Sequence, residues 1–188
     1  MRKAVFLIFL TLFLFNAQGS FANTPLLTAT GSSGIASADK PVNYQLPYPG
    51  ILPDNPLYFF KVLRDKIVGF FISDPLKKTD FDLLQADKRL NAAVYLFKEG
   101  ETKYSLAEST ISKGENYFQD ALNKVSRAKK QGEDTKDILA RLYLSSIEHQ
   151  QVIGNLERKT NGNVKERLLT DMRRAQDFQK KVKLLMPK

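Results

Sequence analysis

The chain has 188 residues, with 29 Lys and Arg, 20 Asp and Glu, one His, no Cys and no Trp, for a formal charge of +9. A composition that is 43% hydrophobic and 26% charged is that of a folded chain of one domain, not of wholesale disorder. Zero cysteines exclude disulfides, thiolate metal sites, a cysteine nucleophile and a lipobox lipid anchor, and one histidine excludes a multi-histidine metal site within one chain.

Met1-Arg2-Lys3 precedes an uncharged run from Ala4 to Phe15, the pattern of a secretory signal peptide over residues 1–22. The run is short for a membrane span, which needs about 20 apolar residues. Ser20-Phe21-Ala22 fits the small-x-small cleavage rule and predicts a mature start at Asn23. Ala17-Gln18-Gly19 is a competing site, and an uncleaved anchor is the alternative, given Phe21 and Pro25-Leu26-Leu27. In each case the remainder is expected outside the cytosol: secreted, periplasmic or envelope-associated. Removing residues 1–22 leaves 27 Lys and Arg against 20 acids, a charge of +7.

Residues 23–46 are rich in Thr, Ser, Gly and Ala, hold only Asp39 and Lys40 as charges, and read as a flexible tether. A helical bundle domain is expected over 47–188. Asp54 or Asn55 can cap a first helix with Pro56 in its first position, running to about Ile72. Leu57, Phe60, Leu63, Ile67, Phe70 and Phe71 form its apolar face, expected to look into the bundle, while Lys61, Arg64, Asp65 and Lys66 keep it from being a membrane span.

Ser73-Asp74-Pro75 repeats the cap-then-proline signal, and a second helix runs to about Glu99, where Gly100 stops it. Leu76, Leu83, Leu90 and Phe97 recur every seven residues, with Thr79, Ala86 and Ala93 three residues after the first three. A third helix, about 102–131, repeats the scheme. Its large positions are Tyr104, Ile111, Phe118 and Val125, and its small ones Ala107, Gly114, Ala121 and Ala128. Two such helices joined by a glycine turn predict a closely packed antiparallel hairpin. A fourth helix is expected over about 135–159, with Leu139, Leu142, Ile153 and Leu156 on its face. A fifth, about 164–185, carries Val164, Leu168, Met172, Val182 and Leu185. The fold class is all-α: an antiparallel bundle with one short opening helix and four longer ones.

The stretch Pro49-Gly50-Ile51-Leu52-Pro53-Asp54-Asn55-Pro56-Leu57-Tyr58-Phe59-Phe60-Lys61 resembles the opening motif of a bacterial domain-of-unknown-function family, number 5667. A second block, Asp74-Pro75-Leu76-Lys77-Lys78 followed by Ala86-Asp87-Lys88-Arg89-Leu90, extends the resemblance over about residues 47–95. Asp87 stands where that family usually has Glu, and Asn91-Ala92 where an acid commonly follows. The resemblance implies an exported or envelope-associated helical protein and no known chemistry. On physical grounds alone the motif is structural: prolines stiffen the approach, the cap starts the helix, and Tyr58 and Phe59 are expected to cover the end of the bundle.

Catalytic and metal-binding constellations are not found. His149, on or beside the apolar face of the fourth helix, is expected to be packed and hydrogen-bonded, not a ligand, with Glu148 pointing elsewhere. Ser126-Arg127-Ala128-Lys129 and Ser37-Ala38-Asp39-Lys40 spell S-x-x-K without the S-D-N and K-T-G elements of the hydrolases that use it. Asp80 with Asp82, and Asp134 with Asp137, read as solvated faces or first-turn acids. No catalytic, cofactor or metal residues are assigned, no cofactor is expected, and the chain is read as not an enzyme.

Charge is unevenly distributed. Residues 23–157 hold 17 basic and 17 acidic side chains, whereas residues 158–188 hold ten basic and three acidic. The fifth helix is therefore a basic amphipathic helix. Arg173, Arg174, Lys180, Lys181 and Lys183 are the candidate contacts to an anionic surface: lipid headgroups, an envelope polymer or an acidic protein partner. A solvated outer face explains the same pattern. Nucleic acid is disfavoured, because only Phe178 interleaves with these cations. The expected function is a non-catalytic exported module binding an envelope partner or anionic surface, with a chaperone-like or stress-responsive periplasmic protein as the alternative.

Overall fold

The computed structural model describes residues 44–187. The predicted signal peptide, and the predicted tether up to residue 43, lie outside the described residues.

Asn55 opens the helical part of the chain by accepting a hydrogen bond from the Leu57 N–H at 2.9 Å. The turns around it delay α1 to Tyr58–Phe71, two residues later than Pro56 suggested. Asp74 caps α2, Pro75–Lys98, by accepting from the Lys77 N–H at 2.9 Å, and Pro75 takes the first helical position where its missing N–H costs nothing. Gly100, at φ 107°, ends the turn after α2 in a conformation that a side chain resists. A 3₁₀ turn over Glu101–Lys103 then leads into α3, Tyr104–Lys130. α4 spans Lys136–Glu157 and α5 spans Gly162–Leu185.

The fold is all-α, as the heptad seams imply. The four longer helices form a bundle in which α2 neighbours α3 and α4, and α5 neighbours α3 and α4. Leu83, Leu90, Ile111, Phe118 and Val125 are buried, and so are Thr79, Ala86, Ala93, Ala107, Gly114, Ala121 and Ala128. Large and small positions of both helices thus line one buried seam. At Gly114 the two backbones approach closely: a Cβ there would lie 3.2 Å from the Ala86 carbonyl oxygen and 3.2 Å from the Arg89 Cβ.

α5 belongs to the bundle. Leu168, Ala175, Phe178 and Val182 are buried, and the Phe178 ring stacks on Phe118 at 5.0 Å between centroids. The packed chain also reaches upstream of Pro47, since Leu46 rests against the half of the core built from Leu90, Ile111 and Ile153.

Two expectations are corrected here. The apolar face of α1 does not look inward: Phe70, Phe71, Phe59 and Phe60 are 83, 76, 66 and 62% exposed, and Leu57, Leu63 and Ile67 are exposed with them. Phe59 therefore does not cover the end of the bundle. The residues α1 buries are Lys61, Asp65 and Gly69. The reason lies beneath it. The four-helix core is already closed, and the side of α2 under α1 offers Lys78, whose ammonium donates to the Gly69 carbonyl, and the edge of Phe81. The Lys78 ammonium and the Phe81 edge take the side of α1 that carries Lys61, Asp65 and Gly69, and its apolar side is left in water. The second correction is Asp82, which is buried and paired with Lys124 at 2.5 Å, not solvated. Asp80, by contrast, stays half-exposed in a pair with Arg141.

Gly114→Val tests the α2–α3 approach. Overpacking this contact is expected to destabilise by roughly 1–3 kcal/mol, whereas Gly132→Ala, at a surface turn with nothing within 4 Å of its Cβ, strains only its own backbone (φ 87°). Urea titrations of both variants measure the difference.

Candidate functional site

His149 is fully buried in the middle of the bundle, and both its nitrogens face carboxylates. Nδ1 lies 2.6 Å from Glu115 Oε1 on α3, and Nε2 lies 3.1 Å from Asp87 Oδ1 on α2. Each carboxylate oxygen accepts, so both ring nitrogens carry protons and the ring is an imidazolium. Burial alone opposes that charge; Glu115 and Asp87 overcome it and push the His149 pKa up to about 10. The Phe118 ring meets His149 edge-on at 5.2 Å and walls the site with hydrocarbon.

Helical spacing assembles the rest. Ser145, one turn before His149 on α4, donates to Asp87 Oδ1 at 2.6 Å, and the Tyr44 hydroxyl donates to Asp87 Oδ2 at 2.6 Å. Burial first, and the Asp87 charge second, raise the Tyr44 pKa far above the usual phenol range, so it stays a donor. Asp171 on α5 completes the set. Its carboxyl is pushed up to about 7 by burial and then by the neighbouring Glu115 charge, with Arg174 opposing at 3.3 Å. Glu115 Oε2 and Asp171 Oδ2 are both buried without a hydrogen-bond partner. A protonated Asp171 relieves the repulsion between two such acids in a dry interior.

His149 is thus the packed, hydrogen-bonded residue that its position implied, with Glu148 only half-buried beside it. Its partners were not legible. Asp87 had stood out only as a departure from Glu in a family motif, yet it accepts from Tyr44, Ser145 and His149. Glu115 follows the small position Gly114 in a helix with many charges, and only the seam register, placing it beside a buried residue, pointed inward. Among the described residues no group of three or more His, Cys, Asp and Glu side chains is arranged to hold a metal ion.

The five α5 cations are divided by the structure. Arg174 is drawn into the bundle, donating to Asn116 Oδ1 at 2.6 Å and to Asp171. Lys181 reaches Gln119 and lies over Phe178, and Lys183 lies over the Tyr143 ring. Lys180 pairs with Asp177, and Arg173 donates to Thr170 on its own helix. Phe178, buried in the core, is not a platform for stacking a nucleobase.

A family model described as a domain of unknown function, DUF5667, matches residues 50–163. The chain belongs to that family. The match extends well past the two opening motifs, through α4, and includes Asp87, Glu115, Ser145 and His149. No curated protein and no solved structure matches the chain.

The cluster makes stability depend on pH in one direction. His149 has a folded pKa raised from 6.5 to about 10. Its contribution is complete below the unfolded value and is lost as pH rises through about 10. Asp171 has a folded pKa raised from 3.8 to about 7, so its ionisation costs the folded state increasingly between those values. Both effects lower stability as pH rises. The thermal midpoint is expected to fall from pH 5 to pH 9, with Asp171→Asn flattening the acid half of that range and His149→Gln the alkaline half. His149→Ala leaves two buried carboxylates without their cation and is expected to cost about 3–5 kcal/mol at neutral pH, read by urea titration.

Proposed function

We propose that the chain is an exported, non-catalytic helical module that binds an envelope partner or an anionic surface. One observation carries this reading: α1 holds Phe59, Phe60, Leu63, Ile67, Phe70 and Phe71 out into water above a bundle whose core is complete without them. Contiguous apolar surface of this kind marks an interaction site. The titratable cluster around His149 supports a structural role, because its ring is sealed from solvent and each of its nitrogens is engaged. Export rests on the leader pattern of Met1 to Ala22.

The reading is tested in two parts. A reporter enzyme active only outside the cytosol, fused after Leu46, is expected to be active; an inactive reporter removes export. A photo-crosslinking side chain at Phe60 in the full chain is expected to label a partner or lipid in the native cell, and one at exposed Lys136 to label much less. Equal labelling from both positions sinks the binding role of α1. Suppression of aggregation of unrelated unfolded proteins, abolished by Phe59→Ser with Phe70→Ser, would replace this reading with the chaperone-like one.

A further inference from the structure

α1 is 14 residues long, about 21 Å at the usual helical rise. Its outward residues recur at three- and four-residue spacing, so Phe59, Phe60, Leu63, Ile67, Phe70 and Phe71 form one stripe along its whole length. Four of these six are phenylalanine, and Phe70 and Phe71 at the far end are the most exposed. By the same helical geometry Arg64 borders the stripe on one side and Lys66 on the other. The one acid of the helix, Asp65, is turned inward and holds Arg64 at 2.8 Å. The solvent side of α1 therefore presents hydrocarbon edged by cations and no carboxylate.

A hollow opens beside the Arg64 edge. It is lined by Lys61, Arg64 and Lys88 together with the backbone turn Tyr48 to Ile51. Lys61 is only 8% exposed, and its ammonium lies 5.2 Å from the centre of the Tyr58 ring. Burial first, and then the charges of Arg89, Lys88 and Arg64 against that of Asp65, hold its pKa below the usual lysine value. Three cations thus share a recess with a single carboxylate nearby. An anion in that recess would relieve their mutual repulsion.

We propose that the aromatic stripe of α1 docks flat on an anionic bilayer surface, with headgroup phosphates received by the hollow of Lys61, Arg64 and Lys88. This rests on the surface-binding reading above and names its partner. Charge complementarity selects the occupant. A second copy of the chain, packed about a two-fold axis on the same stripe, would set Arg64 and Lys66 against basic edges with no exposed α1 carboxylate to meet them. A bilayer interface takes both features at once: the rings enter the boundary between headgroups and acyl chains, and the bordering cations stay with the phosphates. No helix among the described residues is long and apolar enough to cross a membrane, so the contact is one of lying on the surface.

The chain has no tryptophan, so an introduced one reports from its own position alone. Phe70→Trp on α1 and Leu184→Trp on α5 both alter highly exposed side chains outside the core. The local signal also separates α1 from any insertion by the apolar N-terminal run of the full chain. Each full-length variant is titrated with phosphatidylglycerol–phosphatidylcholine vesicles and with pure phosphatidylcholine vesicles. The expected result is a blue shift of the indole emission of Phe70→Trp with the anionic vesicles only. That shift is expected to be lost at high salt and weakened by roughly tenfold or more when Arg64→Gln and Lys88→Gln are added. The emission of Leu184→Trp is expected to stay unshifted. A shift in Leu184→Trp without one in Phe70→Trp overturns the α1 proposal and moves the anionic contact to α5, leaving the broader reading in place. No shift in either variant overturns lipid as the partner, and the crosslinking from Phe60 then decides the broader reading alone. Equal shifts with neutral vesicles overturn the phosphate-binding role of the hollow.

Discussion

A single imidazolium, held between carboxylates from two other helices, is the constraint on which the bundle depends. His149 draws Asp87 of α2 and Glu115 of α3 onto α4, and Asp171 of α5 stands next to the same charges. Each of the four long helices thus contributes a titratable group to one dry interior. Hydrocarbon packing tolerates small slips of one helix along another. A ring nitrogen that must find an oxygen within hydrogen-bond reach does not, so the cluster selects a register from those that the leucine and alanine seams allow. Neighbours are similarly fixed: Tyr44 is tied to Asp87, which pins the start of the packed chain against the bundle.

The long helices were legible because their signals are redundant. Asp74-Pro75 starts α2, Gly100 stops it, and the seven-residue alternation of large and small residues states both the burial and the pairing with α3. The buried cluster was not legible, because a carboxylate that will meet a histidine looks in sequence like any acid on a helix. Asp87, Glu115 and His149 are widely separated along the chain, and only the packed seams bring them together. α1 misled for a different reason. Periodicity reveals that a helix has two faces, and it does not reveal which face the rest of the molecule will receive. The inward choice of Lys61, Asp65 and Gly69 follows from what α2 displays beneath them, a surface that exists only after the bundle has formed.

The family match closes at residue 163, before most of α5, yet α5 is needed to finish the core. Phe178 supplies the ring that stacks on Phe118, and Leu168 and Val182 fill both halves of the interior. The basic character of the C-terminal region is partly consumed in that packing, since Arg174, Lys181 and Lys183 lie across neighbouring polar groups and rings. What distinguishes the described surface is therefore less its total charge than α1, where a long apolar stripe and cations are presented side by side.

The reversed seating of α1 also sets how the molecule breathes. α1 rests on Lys78 and the edge of Phe81, and its apolar side is already in water. Lifting α1 hydrates Lys61, Asp65 and Gly69, so its opening gives up less buried hydrocarbon than the opening of α3 or α4 would. The amide protons of α1 should then exchange with solvent through a small local motion about the extended residue Ile72, while those lining the His149 cluster exchange only when the whole bundle unfolds.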